Sequence, residues 1–353
     1  MRFFFTFFAV FLLSGIPAPF VLQPSIAQDE RSAAYRIDIS PTHVENPGVA
    51  NFLRTLTGRE RATLQGALAR AATYRPAMSQ IFREEDLPED LLNLCVIESE
   101  FLPHARSEAD ASGLWQFTRA TGLRYGLKIN SWIDERHDPI KSTRAAAAYL
   151  RDLHTQFREW LLVVAAFNAG EGSVKSALNR LSKKSFSLLS ARPFLKPKTQ
   201  DFVDRFVATT LISRKPESHG FREIVYEPEL EFDEVVITQP LSLDRIAALA
   251  DTSRETVQRL NPALLRDRTP PQEEPFVLRL PSGGAERFYF AYRALPELSK
   301  GTVSRHQVKA GESLWQIARR YGMTVWRLME INGLEGARLK IGQELIVAPG
   351  TES

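Results

Sequence analysis

One cysteine, Cys95, stands among the 353 residues, so no internal disulfide can hold the fold and packing has to. Concentrated charge is missing too. The formal net charge is only +3 and no basic run stands out, which sets aside a nucleic-acid binder, whose Lys and Arg would cluster on one face. A mild positive excess suits an anionic polymer without pointing to one. Nor is there an uninterrupted apolar stretch of the length a membrane span needs. Phe3 to Leu13, behind Arg2, is short, and Pro17, Pro19 and Pro24 disfavour a spanning helix after it. Ser25-Ile26-Ala27 puts small residues before Gln28 in the manner of a cleavage site. Residues 1–27 therefore read as a signal peptide, with an uncleaved anchor as the alternative because apolar character straggles on to Leu22. With no cysteine near the cut, a bacterial lipid anchor has no attachment point. The chain is expected in the periplasm or cell envelope, with no cofactor and no metal.

What is present is ordinary globular material, 44% apolar and 25% charged, enough for two or three compact units. Residues 28–56 mix proline and charge and read as an extended lead-in. Helical periodicity then sets in: Leu64, Leu68, Ala71 and Ala72 form one stripe, and Met78, Ile81 and Phe82 another. Asp138-Pro139 opens a helix whose inward face is Ala146, Tyr149, Leu150, Leu153 and Phe157. Trp160 to Asn168 is a compact apolar helix closed by Gly170, and Phe202, Phe206 and Leu211 mark one more. Residues 57–215 thus form one all-α domain.

Beyond Pro216 the texture changes to short β-branched runs, Val235-Val236-Ile237 and Phe276-Val277-Leu278, and the sequence repeats itself. Ser242-Leu243 recurs as Ser313-Leu314, Ile246-Ala247 as Ile317-Ala318, Ser253 as Thr324, Val257 as Leu328, and Leu260-Asn261 as Ile331-Asn332. Each copy reads as strand, helix, helix, strand, one over 230–282 and one over 304–349, joined by a linker at 283–303. A matched Asn and two matched strands make this a duplication.

Chemistry gathers around Glu98. Leu91, Leu94, Cys95 and Glu98 share one helical face at i, i+3, i+4, i+7, which places a carboxylate on a buried stripe near Pro103, where the helix is expected to end. Burial penalises the charged form, and the negative end of the helix dipole pushes the same way. A carboxylic acid neutral near pH 7 is what general acid catalysis needs. Taken alone, a buried Glu is more often one paired with Arg or capping a backbone N–H.

The neighbouring segments change that balance. Glu98-Ser99-Glu100-Phe101-Leu102-Pro103, then Ser112-Gly113-Leu114-Trp115-Gln116-Phe117, then Ala166-Phe167-Asn168-Ala169-Gly170-Glu171-Gly172 stand in an order and spacing that resembles the family 1 lytic transglycosylases, of the membrane-bound murein transglycosylase D type. Tyr125-Gly126-Leu127, Trp132-Ile133-Asp134-Glu135-Arg136 and Asp138-Pro139 extend the match across about residues 60–180. The resemblance implies a mainly α, lysozyme-like catalytic domain of the goose-type or soluble transglycosylase kind, acting on peptidoglycan glycan strands. Glu98 falls on the family's catalytic Glu. Gln116 falls on a substrate-facing Gln, and Asn168 in the segment opposite the acid. Ser99 would back the site or touch substrate, and Trp115 would stack on sugar or pack. A hydrolase would need a second carboxylate; Glu100, Glu108, Asp110 and Glu171 read instead as solvated surface groups.

Three positions depart from the family. Phe167, expected with Ser99, Gln116 and Asn168 on the substrate-binding side, replaces a Tyr whose hydroxyl would lie near the acid, Asp110 stands where Gly is usual, and Thr118-Arg119 replaces Met-Pro. The repeat also resolves. His306-Gln307-Val308-Lys309-Ala310-Gly311-Glu312-Ser313-Leu314 with Asn332-Gly333-Leu334 looks like LysM, a small βααβ module that binds N-acetylglucosamine chains. Thr324 would cap its second helix, and Gly311 would let the backbone turn close to ligand. In the first copy Pro240-Leu241 replaces Gly311-Glu312, which marks it as degenerate. The expected activity is transglycosylation leaving 1,6-anhydro ends, with a hydrolytic muramidase or a non-catalytic peptidoglycan-binding scaffold as alternatives. Peripheral association with envelope proteins is expected and nucleic acid is not.

Overall fold

A computed structural model describes residues 36–181, 185, 186, 194–271, 275–295, 304–309, 311–321, 325–334, 336 and 339–347. The expected signal peptide and the Thr324 cap lie outside them. Helices α1 (Pro41–Val44), α2 (Pro47–Thr57), α3 (Arg61–Glu84), α4 (Asn93–Ser99), α5 (Arg119–Arg124), α6 (Pro139–Phe157), α7 (Trp160–Ala169), α8 (Glu171–Leu178) and α9 (Pro197–Arg214) close over one core. At its centre α7 carries six consecutive fully buried residues, Leu161 to Ala166, so it is apolar all round because its neighbours cover it all round. Asp138 starts α6 as expected, its carboxylate accepting from the N–H groups of Ile140 and Lys141 above Pro139 at the first turn.

The lead-in is not extended. Residues 41–57 form α1 and α2, and Ile37, Val49 and Leu56 are buried in the core of the helical domain. The signal was legible: Asn46 caps α2, accepting from Gly48 N–H, Pro47 fills the first turn, and Val49, Leu53 and Leu56 share a face. The two prolines there, Pro41 and Pro47, mark helix starts rather than an unstructured stretch.

Two small βααβ units follow. β1 (Phe232–Ile237) pairs antiparallel with β2 (Phe276–Pro281) around α10 (Leu243–Ala250) and α11 (Arg254–Leu260). β3 (Ser304–Gln307) pairs with β4 (Glu344–Val347) around α13 (Leu314–Arg320) and α14 (Val325–Ile331). The matched Asn does the same work in both. Asn261 donates to the carbonyls of Val257 and Arg279 and accepts from Arg279 N–H; Asn332 donates to Leu328 and Ile346 and accepts from Ile346 N–H. Each side chain ties the end of a helix to the returning strand. The expected linker at 283–303 holds a helix, α12 (Ala285–Arg293), which buries Phe288 against the first unit; Tyr289 and Tyr292 accept from the N–H groups of Val236 and Thr238. Its aromatic residues are spaced for one helical face, a pattern masked by the surrounding prolines and charge.

Candidate active site

Glu98 sits in the last turn of the two-turn helix α4. The helix ends because Glu100 (φ 52°) and Phe101 (φ 57°) both turn left-handed, their N–H groups returning to the carbonyls of Val96 and Cys95. This is earlier than Pro103, the expected terminator. Two such residues cost roughly 1–2 kcal/mol each, and the complete burial of Phe101, worth roughly 2–3 kcal/mol, offsets much of it. The carboxyl of Glu98 is half-buried and has no hydrogen-bond or ion-pair partner among the described residues. Burial therefore pushes it up to about 7, against the opposing pull of the Lys198 ammonium at the start of α9.

The other carboxylates weighed in the sequence are occupied or open to water. Glu100 faces Arg70 at 3.4 Å, Asp110 faces Arg106 at 2.6 Å, Glu171 faces Arg124 at 3.3 Å, and Glu108 is exposed. Of these five carboxyls Glu98 alone is neither paired nor exposed.

The three motif segments converge on residues 112–117. Ser99 is buried and donates to the carbonyls of Cys95 (3.0 Å) and Leu114 (2.8 Å), so it backs the site rather than walling it. Trp115 is also buried, stacked on Phe82 and donating to Thr143 Oγ1, a packing role. Gln116 is half-buried in a left-handed conformation (φ 48°), its amide nitrogen donating to the carbonyls of Ala105 and Gly113 at 3.0 Å each. Its Oε1 keeps no partner among the described residues. Phe167 lies half-buried among the rings of Trp115, Phe117 and Tyr149, which brings the 166–172 segment onto the same loop. Asn168, one residue on and half-buried, has no partner among the described residues.

Two of the sequence departures find a physical account. Asp110 adopts φ 61°, a conformation Gly takes freely and Asp tolerates. Thr118 caps α5, accepting from Thr121 N–H, where Met could not. Sequence reasoning passed over Lys198, which no local pattern distinguishes, and gave the arginine of the Trp132–Arg136 motif no role.

In the second βααβ unit, Gly311 has φ 83° and open space where a side chain would stand. Beside it Glu312 accepts from Lys309 N–H, contacts His306 at 2.6 Å and pairs with Arg320, which pulls its carboxyl down to about 2. The first unit has Leu241 at that position and so cannot make this brace.

Comparison with known proteins supplies the wider context. The transglycosylase SLT domain family matches residues 79–189, the family described as lytic transglycosylase MltD, LysM-like domain, matches 231–297, and the LysM domain family matches 306–348. The chain is 28% identical over 314 residues to membrane-bound lytic murein transglycosylase D of Escherichia coli (strain K12), covering 84% of this chain and 68% of that one. It is 35% identical over 96 residues to peptidoglycan transglycosylase gp16 of Escherichia phage T7, covering 26% and 7%. Among solved structures, the 70-kDa soluble lytic transglycosylase SLT70 of Escherichia coli aligns with a TM-score of 0.38 at 15% identity, over 57% of this chain and 41% of that one. The chain thus carries, in order, a transglycosylase SLT domain, an MltD-type LysM-like domain and a LysM domain, and over 84% of its length it is similar to a membrane-bound lytic murein transglycosylase D.

Proposed function

We propose that the protein cleaves the bond between N-acetylmuramic acid and N-acetylglucosamine in peptidoglycan, with Glu98 making both proton transfers. Neutral Glu98 protonates the glycosidic oxygen as that bond breaks. The carboxylate left behind takes the proton of the muramic C6 hydroxyl, whose oxygen attacks C1 to close the 1,6-anhydro ring. No water enters, and internal attack gains from proximity that a free water lacks. The observation that carries this reading is the unpaired Glu98 carboxyl at about 7. In this reading Gln116 Oε1 and Asn168, both without a partner among the described residues, hold the sugar, and Ser99 and Phe167 shape the wall behind them. Mass spectrometry of the ends left on digested sacculi tests it: anhydro ends support it, reducing ends mean a hydrolytic muramidase, and binding without cleavage means a scaffold. Because the substrate is the cell wall, the place of action is the cell envelope.

The acid must be protonated to start the reaction, so kcat/KM should be level below about pH 7 and fall about tenfold per pH unit above it. Lys198→Met removes the cation that holds the carboxyl down and should move this alkaline limb to higher pH. A limb that stays in place would assign it to another group.

The LysM unit acts as a tether. Removing residues 304–353 should weaken retention on insoluble sacculi more than it slows cleavage of a short soluble glycan, since a tether raises local concentration without touching the chemistry. Equal losses on both substrates would make the unit part of the catalytic groove instead.

A further inference from the structure

Asp134, Glu135 and Arg136 are buried, and the segment Trp132–Arg136 joins two parts of the molecule. On one side it meets the LysM-like unit. Asp134 N–H donates to Ala263, Leu265 N–H donates to Trp132 (2.9 Å each), and Ile133 and Leu264 oppose one another in an antiparallel bridge. The loop between α11 and β2 is thus spent on the catalytic domain. Beside it Arg279 of β2 is buried, its guanidinium 2.8 Å from the Asp138 carboxylate and 4.7 Å above the Phe232 ring. The LysM copy has Ile346 at this position, held by Asn332 as Asn261 holds Arg279. The duplicated sheet has exchanged an aliphatic residue for a buried cation aimed at the neighbouring domain.

On its other side the segment grips the active-site loop. Asp134 holds Arg136 through both carboxylate oxygens, and Arg136 Nη1 donates to the carbonyls of Asp110 (2.7 Å) and Phe117 (3.1 Å), the two ends of the loop that carries Gln116. The Arg136 carbonyl closes over Gly113, and the loop reaches helix α4 through the bond from Ser99 to Leu114. Asp134, Arg136, Gly113, Leu114, Phe117 and Ser99 are buried, where an ion pair is held rigidly and a lost partner is costly.

We propose that the LysM-like unit is a brace of the active site rather than a second tether, and that Arg279 and Arg136 are positioning residues that hold residues 110–117 against Glu98. The catalytic part of this inference rests on the reading of Glu98 given above. Small misplacements of a substrate-contacting loop cost rate far more than binding.

The test is Arg279→Met in the full chain, read by amide hydrogen exchange and by kinetics on a short soluble glycan. Exchange should rise at least about tenfold at 110–117 and 130–136, the change made by losing one charged hydrogen bond in a local opening equilibrium. By the same reasoning kcat should fall about tenfold with KM changed less than about twofold, and Arg279→Lys should recover much of both. Should Arg279→Met not fold, Leu265→Pro deletes one interface hydrogen bond from a half-exposed position and is held to the same expectation. Faster exchange confined to 231–295 with kcat unchanged overturns the brace while leaving the proposed function standing. Exchange that spreads into 110–117 when the unsubstituted protein itself cleaves no glycan leaves the brace standing and overturns the function.

Discussion

Glu98→Gln should reduce turnover to near background and make the protein harder to unfold above neutral pH. General acid or base assistance is worth roughly 10²–10⁴-fold, and here one side chain supplies both. The stability effect follows from the carboxyl's shift from an ordinary 4.5 to about 7. A group raised in the folded state stabilises it while protonated. That contribution is whole below about pH 4.5 and is lost as the pH rises through 7. At 1.36 kcal/mol per unit the loss is at most about 3 kcal/mol, and solvent reaching the half-buried carboxyl reduces it to roughly 1–3 kcal/mol. Gln does not titrate. The gap in melting temperature between variant and parent should therefore open between pH 4.5 and 7 and stay constant above. An active variant with unchanged product ends would remove Glu98 from the mechanism, and a gap independent of pH would mean the carboxyl is not raised by burial.

Gly113→Ala should be the most damaging small substitution in the catalytic domain. Gly113 holds φ 82°, and a Cβ there would stand 1.8 Å from the Arg136 carbonyl oxygen, a backbone atom with nowhere to go. The left-handed conformation alone costs an alanine roughly 1–2 kcal/mol. Displacing Arg136 would also break its grip on Asp110 and Phe117, so about 4–5 kcal/mol in all is expected, the exceptional class for a point change. Gly126 is the control: φ 83°, but nothing within 4 Å of a Cβ. Gly126→Ala should lower the melting temperature by roughly 2–6 °C and Gly113→Ala by about 10 °C or more. Equal losses would show that backbone strain alone, and not contact with Arg136, fixes the glycine.

Much of this was legible in the sequence because it is local. Helix α6 is announced by Asp138-Pro139 and an apolar stripe, and the buried carboxyl by its spacing from Leu91 and Leu94. The duplicated βααβ units were legible because Asn261 and Asn332 stand at matched places. What failed were residues whose partners are remote. The lead-in at 28–56 is a different case: the Asn46-Pro47 start of α2 is a local signal that the mixture of proline and charge obscured, and α1 and α2 pack against α9. Arg279 faces Asp138, 141 residues back, so its role leaves no periodic trace. Lys198 reaches Glu98 only through the fold.

The two asparagine clamps have different chemical lifetimes. Succinimide formation, the first step of asparagine deamidation, needs the backbone nitrogen of the next residue to attack the side-chain carbonyl. Asn261 precedes Pro262, which has no N–H to give, so that route is closed in the docked unit. Asn332 precedes Gly333, the least hindered neighbour there is. Its three hydrogen bonds protect it while the LysM unit stays folded, but any opening exposes it, and the resulting carboxylate would face the carbonyls of Leu328 and Ile346 with no proton to offer them. An ageing preparation should then lose its grip on insoluble wall before it loses the power to cut soluble strands, because the brace is built on the asparagine that cannot age this way.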